Sequence, residues 1–270
     1  MEFRKTQDDP KSPMIIAQVP RGALIQKGGD EDGFHVLNVV TMRELSGEEE
    51  DMLADEKQDV MAKLYGVVSS CIVALSDGKD VVVDDLRKIR QLCNAHPSGF
   101  LMSDMLTLLF RLREVTVGDE YRQAVTCPAC EDDEGRKFSW THIGSLTDLE
   151  VVPASGNLEE TSREFTTSRG NIIKWTMLTA VRHIESTKKK TKKDKATTTL
   201  MLRVESINGE KATLEILKKM SFRERTEIRK QFDDEGGIDT MVPVVCRNCG
   251  HEFTVGLEIA AQDFFFPSDG

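Results

Sequence analysis

Apolar positions along the chain keep two rhythms, a period near two and a period near three and a half, and the switches between them mark its elements. Residues 34–45 alternate and read as a strand. "SGEE" at 46–49 is a capping box, with Ser46 as N-cap and Glu49 reaching back. Met52, Leu53, Val60, Met61 and Leu64 share one face of the helix that follows, which is expected to run to about residue 74. Two more helices are predicted at 83–96 and 103–115, the second N-capped by Ser103. That second helix is apolar nearly all round, so it should be central. Farther on, the pattern predicts a strand over 163–179, a short helix, a basic loop, a strand at 199–207 and a helix at 213–218. A last helix starts at the capping box "SFRE" and runs to about residue 232.

The rhythm repeats. "VVTMRELS" (39–46) matches "IIKWTMLT" (172–179), and "IVALSDG" (72–78) matches "RVESING" (203–209), each of the latter two closing on an Asp-Gly or Asn-Gly turn signal. "TCPAC" and "CRNCGH" follow in the same order, each between β-like runs, and then "KFSWTHIGSLTDL" and "EFTVGLEIAAQDF". The expectation is an α+β fold of two similar halves, 34–150 and 151–270, produced by tandem duplication and preceded by an extended arm over 1–33. Two unrelated α+β stretches with common turn chemistry are the alternative.

Of the six cysteines, Cys71 and Cys93 sit singly in apolar helical patterns and read as small buried hydrophobes. Cys127/Cys130 and Cys246/Cys249 are both spaced C-x-x-C in a knuckle setting, where Gly250 supplies a positive φ. Four thiolates suit tetrahedral Zn²⁺, one ion per chain, and the 115 residues between Cys130 and Cys246 would make the metal a clamp between the halves. A redox dithiol and a metal-free arrangement are the alternatives, although neither pair opens a helix as redox pairs do. His251 is a possible substitute ligand but reads better as part of the knuckle rim.

The N-terminus lacks the apolar core of a signal peptide, and no run of 18 apolar residues occurs, so a cytosol-like compartment without a membrane span is expected. The net charge of −10 argues against a nucleic-acid binder. "KKKTKKDK" (188–195) has no interleaved aromatics and reads as a solvated loop. None of the five histidines falls in a catalytic signature, and no phosphate-binding glycine loop is present. A closed four-thiolate zinc has no open position for water, so no enzymatic activity is expected. "MIIAQVP" (14–20) and "FFFP" (264–267) are apolar segments expected either to dock on another subunit or to fold back on the chain's own core.

"TMRELSGEEEDML", "LREVTVGDEYRQAVTCPAC", the distant "CRNCGHEF" and the closing "DFFFP" together resemble the T4-type bacteriophage baseplate hub proteins over roughly 34–267. Cys127, Cys130, Cys246 and Cys249 match that family's cysteine positions, while "CEDDEG" delays the glycine after the first pair to Gly135. The resemblance implies a structural virion protein of the hub or central baseplate. Its partners would be other baseplate and tail proteins (hub, wedge or tape-measure related). It would assemble in the host cytoplasm and remain in the tail. A tail-assembly chaperone absent from the particle is the second reading, and a zinc-ribbon nucleic-acid binder the third.

Overall fold

The structure is a computed structural model that describes residues 13–28, 32–55, 57–188, 195–257 and 264–265. Its elements follow in chain order. The first half holds β1 (Met14–Gln26), β2 (Phe34–Arg43), α1 (Gly47–Ala54), α2 (Val60–Cys71), β3 (Ile72–Ser76), β4 (Val82–Val83), α3 (Leu86–Cys93), α4 (Met102–Val117), β5 (Glu120–Glu131) and β6 (Lys137–Ser145). A short β7 (Val151–Val152) leads to β8 (Ser162–Thr166), β9 (Ile172–Thr176), α5 (Ala180–Lys188), α6 (Lys195–Met201), β10 (Val204–Ile207) and β11 (Glu210–Lys211). The chain continues through α7 (Leu214–Lys219), α8 (Phe222–Gln231), β12 (Gly237–Ile238), β13 (Met241–Val245) and β14 (Glu252–Gly256). Helices and strands are both present and the strand pairings are antiparallel, consistent with an α+β fold.

Each half begins with a four-stranded antiparallel meander, in the orders β1-β2-β3-β4 and β8-β9-β10-β11. Each inserts a helix pair between its second and third strands, adds a second helix pair, and ends in a two-stranded hairpin, β5-β6 or β13-β14. The matched sequence stretches fall on matching elements: β2 with β9, and β3 with β10. The Asp77-Gly78 and Asn208-Gly209 turns close the corresponding hairpins, with Gly78 at φ 74° and Asn208 and Gly209 at 53° and 82°.

Several elements differ from the sequence reading. The arm expected over 1–33 is, from Met14 on, the edge strand of the first sheet, paired with β2, with Ala17, Val19, Ala23 and Leu24 buried; residues 1–12 lie outside the described ones. Pro20 and Gly22 obscured this strand because they occupy an irregularity between Gln18 and Ala23 rather than a loop. Gly22 sits at φ 86°, and a Cβ there would lie 2.2 Å from the Leu37 carbonyl oxygen. The helix predicted from 46 to 74 is two helices, because Asp59 caps a new start by accepting the Ala62 N–H at 3.1 Å. Ser103 is not the cap of α4. Leu101 holds that position, and Asp104 accepts its N–H at 2.8 Å. Residues 199–201, expected to open the strand at 199–207, instead close helix α6, since packing Leu200 into the second core outweighs strand propensity, and the strand starts at Val204. The lysine loop lies mostly outside the described residues.

Two cores result. The larger packs α2, α3 and α4 on the first sheet around Val40, Leu64, Val68, Leu75, Leu108 and Phe110. The smaller gathers Ile173, Leu200, Val204, Ile207, Leu217 and Ile228 between the second sheet and α6–α8. The halves also interlock. Ala180, Ile184, Ile238, Phe264 and Phe265 join the first core, and Phe264 meets Phe110 edge-on at 5.4 Å. Both described residues of the aromatic C-terminal segment therefore serve this chain's own core and are not left for another subunit. Backbone bonds from Met102 N–H to the Leu178 carbonyl and from Ala180 N–H to the Phe100 carbonyl stitch the start of α4 to the second half. Behind them lies a buried charge pair. Asp104 accepts the N–H groups of Arg21 and Gly22, and burial, which pushes its carboxyl up, is opposed by those donors and the Arg21 charge.

Candidate metal centre

The two C-x-x-C pairs are built differently. In β5 the register runs Thr126 opposite Ser139 and then Glu131 opposite Lys137, so Cys127–Cys130 bulge out of a strand that continues on both sides. The hairpin turn comes afterwards. Asp132 holds it by accepting the N–H groups of Glu134 and Arg136 at 3.0 and 2.9 Å, with Gly135 at φ 75°. The late glycine of "CEDDEG" thus belongs to the hairpin tip and not to the knuckle.

The second pair is the turn itself. β13 ends at Val245, the Cys246 N–H donates to the His251 carbonyl at 2.9 Å, and the Gly250 N–H donates to the Cys246 carbonyl at 3.0 Å. Gly250 has φ 72°, the conformation its position was expected to require. His251 stacks on Phe253 with ring centroids 5.8 Å apart and is not part of the sulfur cluster.

The hairpins lie side by side, Trp140 of one meeting Phe253 of the other edge-on at 6.2 Å. A cleft of about 420 Å³ separates their feet, lined by His142–Ser145 from one and Met241–Pro243 from the other. At that foot the Tyr121 ring lies over Gly144, its cross-strand partner, where a Cβ would come 2.5 Å from the phenol oxygen.

This packing brings the sulfurs of Cys127, Cys130, Cys246 and Cys249 within 4.8 Å of one another. Cys127 and Cys249 are 3.8 Å apart, and Cys130 and Cys246 are 3.7 Å apart. Zn–S bonds of about 2.3 Å place tetrahedral sulfurs about 3.8 Å apart, so the donor set has the size such an ion needs. Exchanging Cys127 with Cys246 and Cys130 with Cys249 turns one close pair into the other, as a local two-fold axis would.

Burial opposes charge on Cys246, yet the backbone N–H groups of Cys249 and Asn248 bring its thiol down to about 7. Desolvation and the neighbouring sulfurs push Cys130 up to about 12, against a bond from the Asn248 amide at 3.6 Å. Four sulfurs this close hold all their negative charge only around a cation. The remaining two cysteines are inert by comparison: burial pushes Cys71 up to about 12 and Cys93 to about 11.

A family model described as T4 bacteriophage base plate protein matches residues 86–266, two thirds of the chain, and includes all four clustered cysteines. The chain belongs to that baseplate family. The match opens at the start of α3, so the first sheet and α1–α2 lie before it, although the resemblance read from the residues began at 34. No curated protein and no solved structure matches. A baseplate protein is a component of the virion tail, in contact with other tail and baseplate proteins, and membership suggests a structural rather than an enzymatic role. Among the described residues, no helix is long and apolar enough to cross a membrane.

Proposed function

We propose that the chain is a structural component of the baseplate hub or central region, with one Zn²⁺ held by Cys127, Cys130, Cys246 and Cys249. The convergence of four thiols from opposite ends of a baseplate-family sequence carries this reading. When bound, the ion supplies charge neutralisation and fixed tetrahedral geometry, with no open position for a reactant. The protein residues do the rest. The bulge and the turn aim the sulfurs, backbone N–H groups favour the thiolate at Cys246, and the aromatic contact of Trp140 with Phe253 keeps the hairpins adjacent.

The common order of elements supports descent of the two halves from one duplicated unit, each copy bringing half a metal site. Clamping both hairpins gives an assembly part a fixed face for hub, wedge or tape-measure neighbours, after synthesis in the host cytoplasm. Quantitative mass spectrometry of purified virions tests the role. A constant copy number per particle is expected, whereas presence in infected cells and absence from virions would mean an assembly chaperone.

A further inference from the structure

The outward edge of β1 is taken up along one half of the strand and open along the other. The Glu44 N–H donates to the Pro13 carbonyl, which sets the alternation. Pro13, Ile15 and Ala17 bond toward β2, while Met14, Ile16 and Gln18 turn their N–H and C=O groups outward. From Pro20 on, the edge is occupied. The Pro20 carbonyl accepts the Ala154 N–H, Asp104 accepts the N–H groups of Arg21 and Gly22, and the Leu24 N–H donates to the Ser98 carbonyl at 2.7 Å. Among the described residues, none bonds to the outward backbone groups of Met14, Ile16 or Gln18. A groove of about 620 Å³ lies alongside, lined by Ile15, Ile16 and Val19 of the strand and by Val151, Pro153 and Leu158.

This stretch also lacks the devices that keep strand edges from pairing. The other three edges of the two four-stranded sheets have them: β4 and β11 are two residues long, and β8 carries Arg163 and Glu164. "PMIIAQVP" (13–20) holds no charged residue, in a chain that is 30% charged with a net charge of −10. Met14 is 52% and Ile16 72% exposed, so the solvent face is apolar as well. An open row of backbone donors and acceptors is satisfied by another strand. β1 is itself such a strand. Laid antiparallel about a two-fold axis at Ile16, Met14 faces Gln18 of the other copy and Ile16 faces Ile16. These residues all point outward, so the pairs exchange every open N–H and C=O with none left over. Two chains of like net charge repel over most of their surfaces but meet here without charge.

We propose that β1 pairs with β1 of a second copy, antiparallel and centred on Ile16, joining the two first sheets into one continuous sheet. The contact is isologous, so it closes as a dimer. It depends neither on the metal nor on the place of the protein in the baseplate.

Sedimentation velocity on the full chain tests this. A concentration-dependent dimer is expected, undiminished at about 1 M salt, because no ion pair holds it. Ile16→Lys sets two ammonium groups against each other on the axis and should abolish the dimer. Met14→Lys with Gln18→Lys should abolish it too, since like charges then face each other across the strands. Met14→Lys with Gln18→Glu should still dimerise, since each new cation then faces a new anion. A monomer at every concentration, a dimer that survives Ile16→Lys, or loss in both double variants would each overturn the proposal. The side chains of all three positions are exposed, so thermal melting should be unchanged. Where a variant melts early, hydrogen exchange of the parent decides instead. Its amides at 14, 16 and 18 should slow as protein concentration rises, and no slowing would overturn the proposal.

Discussion

The first C-x-x-C sits inside a strand of twelve residues, and the second joins two strands of five. Both present sulfurs to the same point, but their support differs. The first hairpin is rooted in the main core by Tyr121 and Leu146, and Arg113 beneath it donates to the carbonyls of Gly118 and Glu120 at 2.5 and 2.6 Å. Among the described residues, the second hairpin reaches that core through the partly buried Val242 and Leu257. Identical cysteine spacing therefore conceals unequal support from the rest of the fold. The first knuckle is shaped by its sheet, whereas the second is a turn closed by its own backbone bonds from Cys246 to His251 and from Gly250 to Cys246, with Trp140 against Phe253 beside it.

The largest effect that can break this comparison comes from the ligands. Cys127→Ser or Cys246→Ser removes a buried sulfur, and Cys249→Ser an exposed one. The first two should abolish metal binding, and the third should weaken it by a smaller factor. In the metal-free protein, hydrogen exchange should accelerate over 241–256 far more than over 120–145. Because Ala180, Ile238 and Phe265 join the first core, the halves should stay together throughout. Equal acceleration in both hairpins would mean that the first knuckle is no better supported than the second.

Gly144→Ala is the next smaller perturbation. Its Cβ would displace the Tyr121 ring, at a cost of about 1–3 kcal/mol for overpacking, and should loosen the first hairpin at its foot. If metal affinity falls as far as it does on fraying the second hairpin, the asymmetry is wrong. Glu49→Gln serves as a control remote from both knuckles. Burial raises the Glu49 carboxyl, but Arg43 and the Ser46 hydroxyl and N–H bring it down to about 2. A carboxyl depressed on folding stabilises above its ordinary value near 4.5, and that contribution fades as pH falls toward 2. The variant should lose about 1–2 kcal/mol at pH 7 by thermal or denaturant unfolding. The gap to the parent should close on acidification, with metal content unchanged.

The convergence of the two cysteine pairs was the most legible part of the sequence, because paired C-x-x-C spacings, the second followed directly by Gly250, constrain backbone and chemistry together. Their different construction was not legible. Bulge and turn share the four-residue spacing, and only pairing to residues 137–139 distinguishes them. The repeated order of elements could be read from matched segments and turn signals, which are local. What could not be read depends on partners distant in sequence. Pro20 and Gly22 imitate a loop until Asp104 is found accepting the N–H groups of Arg21 and Gly22. Residues 199–201 need the second core to choose helix over strand. The aromatics at 264–265 found Phe110 and Arg113, some 150 residues earlier, where a terminal segment had suggested a partner.

The central claim is that the four sulfurs hold one ion. Native mass spectrometry of the purified full chain, paired with elemental analysis, measures this directly. The account predicts one zinc per chain, lost together with the four-thiolate signature when Cys127 is replaced by serine. Protein that folds with the same hairpin protection and carries no stoichiometric metal would contradict it.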